Sequence, residues 1–183
     1  MRPNYEEQSS GAEVRGRAAL EAIRAIMAGA SRKAAVPPDD GSLRPLAPHL
    51  FVLDMERGCP VYRLAGSAVR CGFGVNPHGR SYYENWSSDA HSALQSFFDA
   101  ALEAGCAFHV FSDALYPWGI GARYETVLIP VTAAVHGFVG VSILLDGDID
   151  SGRPAALQQL RRIAFLNDGG RAPRRVFPRP VLM

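Results

Sequence analysis

Between Tyr62 and Trp86 the chain changes its local period twice, and that change limits the folds open to it. Pro60 to Leu64 is strand-like, and the run ends at Gly66. Ala65 to Phe73 then reads as a short helix, stopped by Gly72 and Gly74. A second glycine turn at Gly79 launches another helical turn, Ser81 to Trp86. Small helices set directly between strands can wall a pocket against a sheet. The segment carries no obvious catalytic group.

The flanks complete the pattern. Leu50 to Asp54 reads as a first strand, joined through the turn Glu56-Arg57-Gly58 to the strand at Pro60. After Trp86, Ser87 or Ser88 can cap a helix that runs to about Ala104 and stops at Gly105. His91, Leu94, Phe97, Phe98, Ala101 and Leu102 supply its apolar side. Three strands follow: Ala107 to Tyr116, Tyr124 to Thr132, and Gly137 to Leu145. Pro130 lacks an N–H and must sit at a strand end, a bulge or an edge. Two strands, then helices, then three strands define an α+β fold over residues 46–146.

Outside that domain the chain differs in character. Residues 1–12 read as disordered. Residues 13–29 read as an amphipathic helix, with Val14, Ala18, Ala22, Ile23, Ile26 and Met27 on one face. That stripe must cover the adjoining domain or the same helix of a second copy, which makes Ile23, Ile26 and Met27 candidate dimer contacts. Residues 30–45, with Pro37, Pro38 and Pro45, form a linker. In 147–183, Ala155 to Leu166 reads as a last helix and the rest as a basic tail. Arg171, Arg174, Arg175 and Arg179 have only Phe177 interleaved, which suits a solubilising tail better than a nucleic-acid contact.

Composition narrows function by exclusion. A net charge of +1 favours neither nucleic acid nor membrane as partner. No window reaches the roughly 18 apolar residues of a membrane span. The polar N-terminus has no apolar signal core, so a cytoplasmic protein is expected. Cys59, Cys71 and Cys106 form no Cys-x-x-Cys pair, and Cys71 and Cys106 read as core residues. Gly72-Phe73-Gly74 lacks the remaining glycine of a dinucleotide loop, and no Gly-Lys-Ser/Thr occurs. Asp146, Asp148 and Asp150 alternate like a calcium loop, but Ser151 and Leu157 stand where glycine and the closing glutamate belong. No catalytic set and no metal site is expected, and the chain reads as a non-enzyme.

Six short motifs occur in order: Arg63-Leu64-Ala65-Gly66, Phe73-Gly74, Gly79-Arg80-Ser81, Trp86, Tyr124-Glu125 and Leu128-Ile129-Pro130. Together with the strand order they resemble a PAS domain, and most closely the bacterial stand-alone PAS-like proteins of the PAS-5 family. Val75-Asn76-Pro77-His78 departs from the charged linker of that pattern. The resemblance covers roughly residues 46–146. It implies a five-stranded antiparallel sheet with helices between strands two and three. It also implies a sensory or regulatory module in signal transduction, and it carries over no catalytic residue. With no kinase, cyclase or DNA-binding segment attached, output is expected through contact with a signalling protein or a second copy. A small ligand would lie between the long helix and the sheet, beside Phe97, Phe98, Phe108 and Val110. The alternative is a haem or other cofactor sensor with His91 as axial ligand, since a neutral imidazole suits iron. The flavin signature Asn-Cys-Arg-Phe-Leu-Gln is absent, so no cofactor is assigned. Arg80 is expected to pin its turn, Trp86 to anchor the core, and Tyr124 and Glu125 to decorate a strand. Pro117-Trp118-Gly119 falls in a loop between strands and is equally a contact surface or a fold-back onto the sheet.

Overall fold

The first strand pair is set by its turn. Arg57 and Gly58 both have positive φ, 52° and 80°, the condition for the tight hairpin turn that matches strand twist. Glu56 therefore pairs with Cys59, and β1 (Leu50–Glu56) runs antiparallel to β2 (Cys59–Ala65). The computed structural model describes residues 46–116, 119–131, 136–147 and 157–166. The segment 13–29 with Ile23, Ile26 and Met27, the linker 30–45, Pro117-Trp118 and the tail beyond 166 lie outside the described residues.

Helix α1 (Ser67–Phe73) and helix α2 (Ser88–Ala104) follow, then β3 (Phe108–Tyr116), β4 (Gly119–Val131), β5 (Gly137–Gly147) and β6 (Leu157–Phe165). The strands form one antiparallel sheet in the order β2-β1-β5-β4-β3-β6. The molecule is a mixed α+β fold. Pro130 pairs with Phe138 of β5, while β3 ends opposite Leu128, so its missing N–H falls where β4 has no β3 neighbour.

Several expectations are corrected. The sheet has six strands, not five. The helix expected over Ala155 to Leu166 is strand β6, bonded along the free edge of β3 from Phe108↔Phe165 to Leu115↔Leu157. The domain therefore does not close at residue 146. Ser81 to Trp86 is a run of turns rather than a helix, tied to its neighbours by two isolated bridges, Val61↔Ser81 and Trp86↔Gln158.

The core lies between α2 and one face of the sheet. Ala90, Leu94, Phe97, Phe98 and Ala101 share the buried side of α2, and Gly105, in the left-handed region, ends it. Ser87 stands at the N-cap, but its side chain makes no capping bond. The Phe98 ring is wholly buried and meets Tyr82, Phe108 and Phe138 edge-on at 5.4, 5.3 and 4.8 Å. Phe97 stacks on Phe165 of β6 at 4.6 Å. Trp86 is buried in the same cluster, as expected. Cys71 is exposed and Cys106 half-buried, because α1 turns Val69 and Phe73 inward and leaves Cys71 on its other side.

Candidate functional site

Phe97, Phe98, Phe108 and Val110 are packed against one another and their neighbours, and none of them lines the cavity found beside them. The space in this face lies beside them, under α1 rather than α2. Ala68, Val69, Gly72 and Phe73 of α1 form its roof. Its floor comes from every strand: Phe51, Tyr62, Ser142, Leu144, Tyr124, Thr126, Ala114 and Gln158 all reach it. Tyr82 and His49 close the sides. These residues meet because alternate positions of each strand point to one face.

The cavity measures about 40 Å³. A site of that size holds a few water-sized groups, whereas drug-sized ligands take roughly 300–1,000 Å³. Its polar groups are mostly neutral. Thr126 and Ser142 share a hydrogen bond at 3.0 Å. His49 Nδ1 lies 3.1 Å from the Ser142 carbonyl oxygen, to which it donates in the matching tautomer. Tyr62 and Tyr82 are 4% and 3% exposed, and no described residue supplies a hydrogen-bond partner to the hydroxyl of either, or of Tyr124. The Tyr124 hydroxyl lies beneath α1, 3.7 Å from where a Cβ on Gly72 would stand.

Burial holds these phenols neutral. It pushes Tyr62 and Tyr82 well above the ordinary tyrosine range, with the neighbouring Tyr82 and Tyr83 adding to the effect. Tyr124 is pushed up to about 12, first by burial and then by Tyr116 and Cys71. An unfolded phenol ionises near 10. Below that pH the tyrosines are neutral in both states and the fold keeps their full contribution. Between pH 10 and about 12 the unfolded chain loses protons that the folded chain keeps, so stability falls as pH rises. Urea midpoints should therefore drop above pH 10, and Tyr124→Phe should make the drop shallower. A midpoint that stays flat to pH 12 would show the tyrosines to be solvated.

The other face of the sheet carries charge that the sequence did not reveal. Glu125 is 1% exposed, with its Oε1 3.7 Å from His109 Nδ1, and neither carboxylate oxygen accepts a hydrogen bond from the described residues. Asp113 is equally buried and pairs with Arg161 at 3.3 Å and Arg123 at 3.5 Å. Glu125 was expected to decorate its strand. It sits instead within the buried outer face, beside a cluster of Val127, Ile129 and Val141. Alternation puts Glu125 and the cavity residue Thr126 on opposite faces, so this charge does not reach the cavity.

His91 does not line the cavity. It is exposed, and its Nε2 lies 3.0 Å from the Tyr83 carbonyl and 3.1 Å from that of Trp86, fastening the turn to the start of α2. A haem does not fit the cavity, whose volume is far below that of a macrocycle and whose histidine, His49, is tied to the backbone. Among the described residues no group of three or more His, Cys, Asp or Glu is placed to hold a metal ion. No helix among them is long and apolar enough to cross a membrane. Arg80 bonds to Glu84 at 3.4 Å across one turn, the pinning role expected of it.

No protein-family model matches the chain, and no curated protein matches it. Two solved structures of VqmA from Vibrio cholerae are similar over part of their length. A VqmA–ligand–DNA complex is 18% identical, over 56% of this chain and 48% of that one, with a TM-score of 0.44. A VqmA dimer in the absence of target DNA, presented with LuxR-type receptors, is 18% identical over 63% of this chain and 54% of that one, with a TM-score of 0.43. This chain spans about half the length of the VqmA chains it matches. At this level the likeness is one of partial chain path alone.

Proposed function

We propose that the chain is a PAS-type sensory module of signal transduction, in which a small molecule in the cavity under α1 is the signal. The observation that carries this reading is the cavity itself, roofed by one short helix and floored by tyrosines whose hydroxyls find no partner among the described residues. Two strands before the helices and three directly after them in one antiparallel sheet support the PAS assignment, with β6 as an added edge. The reading gives the chain no catalytic role, a cytoplasmic setting and an output through protein contact. In the test, thermal unfolding of the full chain is followed against a library of small soluble fragments. At least one fragment should raise the midpoint saturably, and Ala68→Leu, which fills the roof, should abolish the shift. Equal shifts in the variant, or none in either protein, would remove the cavity as the sensing site.

Self-association is the proposed route of output. Burying Ile23, Ile26 and Met27 would contribute roughly 1.5–3 kcal/mol each, before the cost of association is subtracted. Light scattering should find a dimer at micromolar concentration for the full chain. A chain beginning at Val36, or the full chain with Ile23→Asp, should be a monomer. A full-length monomer at high concentration would end the dimer proposal.

A further inference from the structure

We infer that the cavity under α1 selects an uncharged molecule of about four non-hydrogen atoms that both donates and accepts hydrogen bonds. The inference rests on the sensory reading above and narrows it to a ligand class.

Size comes from volume. A space of about 40 Å³ corresponds to roughly three or four water-sized groups. Charge comes from the walls. Among the described residues, no Lys, Arg, Asp or Glu side chain lines the cavity. An anion or cation entering it would give up water without gaining a counter-charge, which is strongly unfavourable. The nearest buried charges, Glu125 and Asp113, lie on the opposite face of the sheet. The one imidazole in the wall is that of His49, and its Nδ1 is engaged by the Ser142 carbonyl. Hydrogen-bonding character comes from the hydroxyls of Tyr62, Tyr82 and Tyr124. Each can donate and accept, and none is matched by a described residue. A molecule that pairs with these hydroxyls reproduces the bonds of the water it displaces, whereas an apolar one of the same size does not, so the pairing molecule is favoured.

Gly72 supplies an independent handle. A Cβ there would stand 3.7 Å from the Tyr124 hydroxyl, an ordinary contact that needs no rearrangement. Gly72→Ala therefore takes space from the cavity and leaves the fold intact. Alanine also favours the helix over glycine, so the empty protein should unfold at higher urea concentration while binding weakens. A residue of purely structural importance would not move those two readouts in opposite directions.

The probes are three molecules of one shape: acetamide, acetate and acetamidinium, titrated at pH 7 into the full chain and followed by NMR at Val69 and Ala114. Acetamide should shift both residues saturably, with a millimolar Kd. Acetate and acetamidinium should bind at least about tenfold more weakly. Tyr124→Phe and Gly72→Ala should each weaken acetamide about fivefold or more, the second with the raised urea midpoint. If either ion binds as well as acetamide, the neutral class is overturned while the cavity remains a ligand site. If none of the three shifts Val69 or Ala114 while a larger library fragment does, the size and class are overturned and the sensory reading stands. If nothing binds at all, both fall together.

Discussion

A chain that stops at Gly147 should lose its cooperative unfolding transition. The cut removes β6, and with it the buried Ile163 and the half-buried Phe165 and Leu160 from the helix-side cluster. Full burial of such side chains contributes roughly 1.5–3 kcal/mol each, so the loss is on the order of 5 kcal/mol. Domains of this size have only about 5–15 kcal/mol in total. The cut also strips the ladder from one side of β3 and leaves Phe108 to Leu115 as an open edge, a template for aggregation. Asp113 keeps Arg123 and loses Arg161. Far-UV circular dichroism in urea is the measurement. A sharp transition with the midpoint of the full chain would mean that β6 is an ornament.

Phe98→Ala should cost about 3–5 kcal/mol, the range for deleting a buried aromatic side chain. The ring is wholly enclosed, and its four edge-on partners come from three separate elements: the turns after α1, β3 and β5. A gap there cannot be closed by moving one neighbour. Leu64→Ala is the control, because Leu64 is 62% exposed and its loss should stay within about 0.5 kcal/mol. Denaturant midpoints for the two variants should separate widely. Similar midpoints would show that α2 is not the main wall of the core.

The elements that could be read from sequence are those whose signal is local. The hairpin at Arg57-Gly58 and the stop of α2 at Gly105 each depend on one backbone conformation that glycine supplies. The amphipathic face of α2 was legible in the spacing of Leu94, Phe97, Phe98 and Ala101, and only His91 on that stripe turned outward. β6 was misread for a definite reason. Leu157, Leu160 and Ile163 recur at helical spacing, but the strand shifts register at Arg161, between Leu160↔Ser112 and Arg162↔Phe111. The bulge moves the inward positions from Gln158 and Leu160 to Ile163 and Phe165, which imitates a helix.

The site was less legible than the fold. The sequence pointed to a pocket near the Tyr62 to Trp86 segment, and Tyr62 and Tyr82 do line one. It placed the lining on Phe97, Phe98, Phe108 and Val110, which are apolar enough to fill the space they enclose. A cavity persists where side chains are too short or too polar to fill it, as with Ala68, Gly72, Ala114, Thr126 and Ser142. That signal depends on which strands are neighbours and cannot be taken from a single run. The burial of Glu125 was hidden likewise, since it needs the order β5-β4-β3.

The order of the sheet also bears on how the chain is made. β1 lies against β5, so Leu50 finds Val141 as its partner only after the long stretch between them has left the ribosome. Until then the β1–β2 hairpin stands alone, and an isolated hairpin is marginal in water. At roughly 5–20 residues per second, several seconds of synthesis pass with Phe51 and Leu53 unburied. The nascent chain therefore has no folded half. The sheet can close only from its middle outward, with β5 as the strand that joins the early hairpin to the late one. A pause in translation just before Gly137 would prolong an adhesive state of the molecule, and a pause after Gly147 would still leave β3 as an open edge until β6 is added.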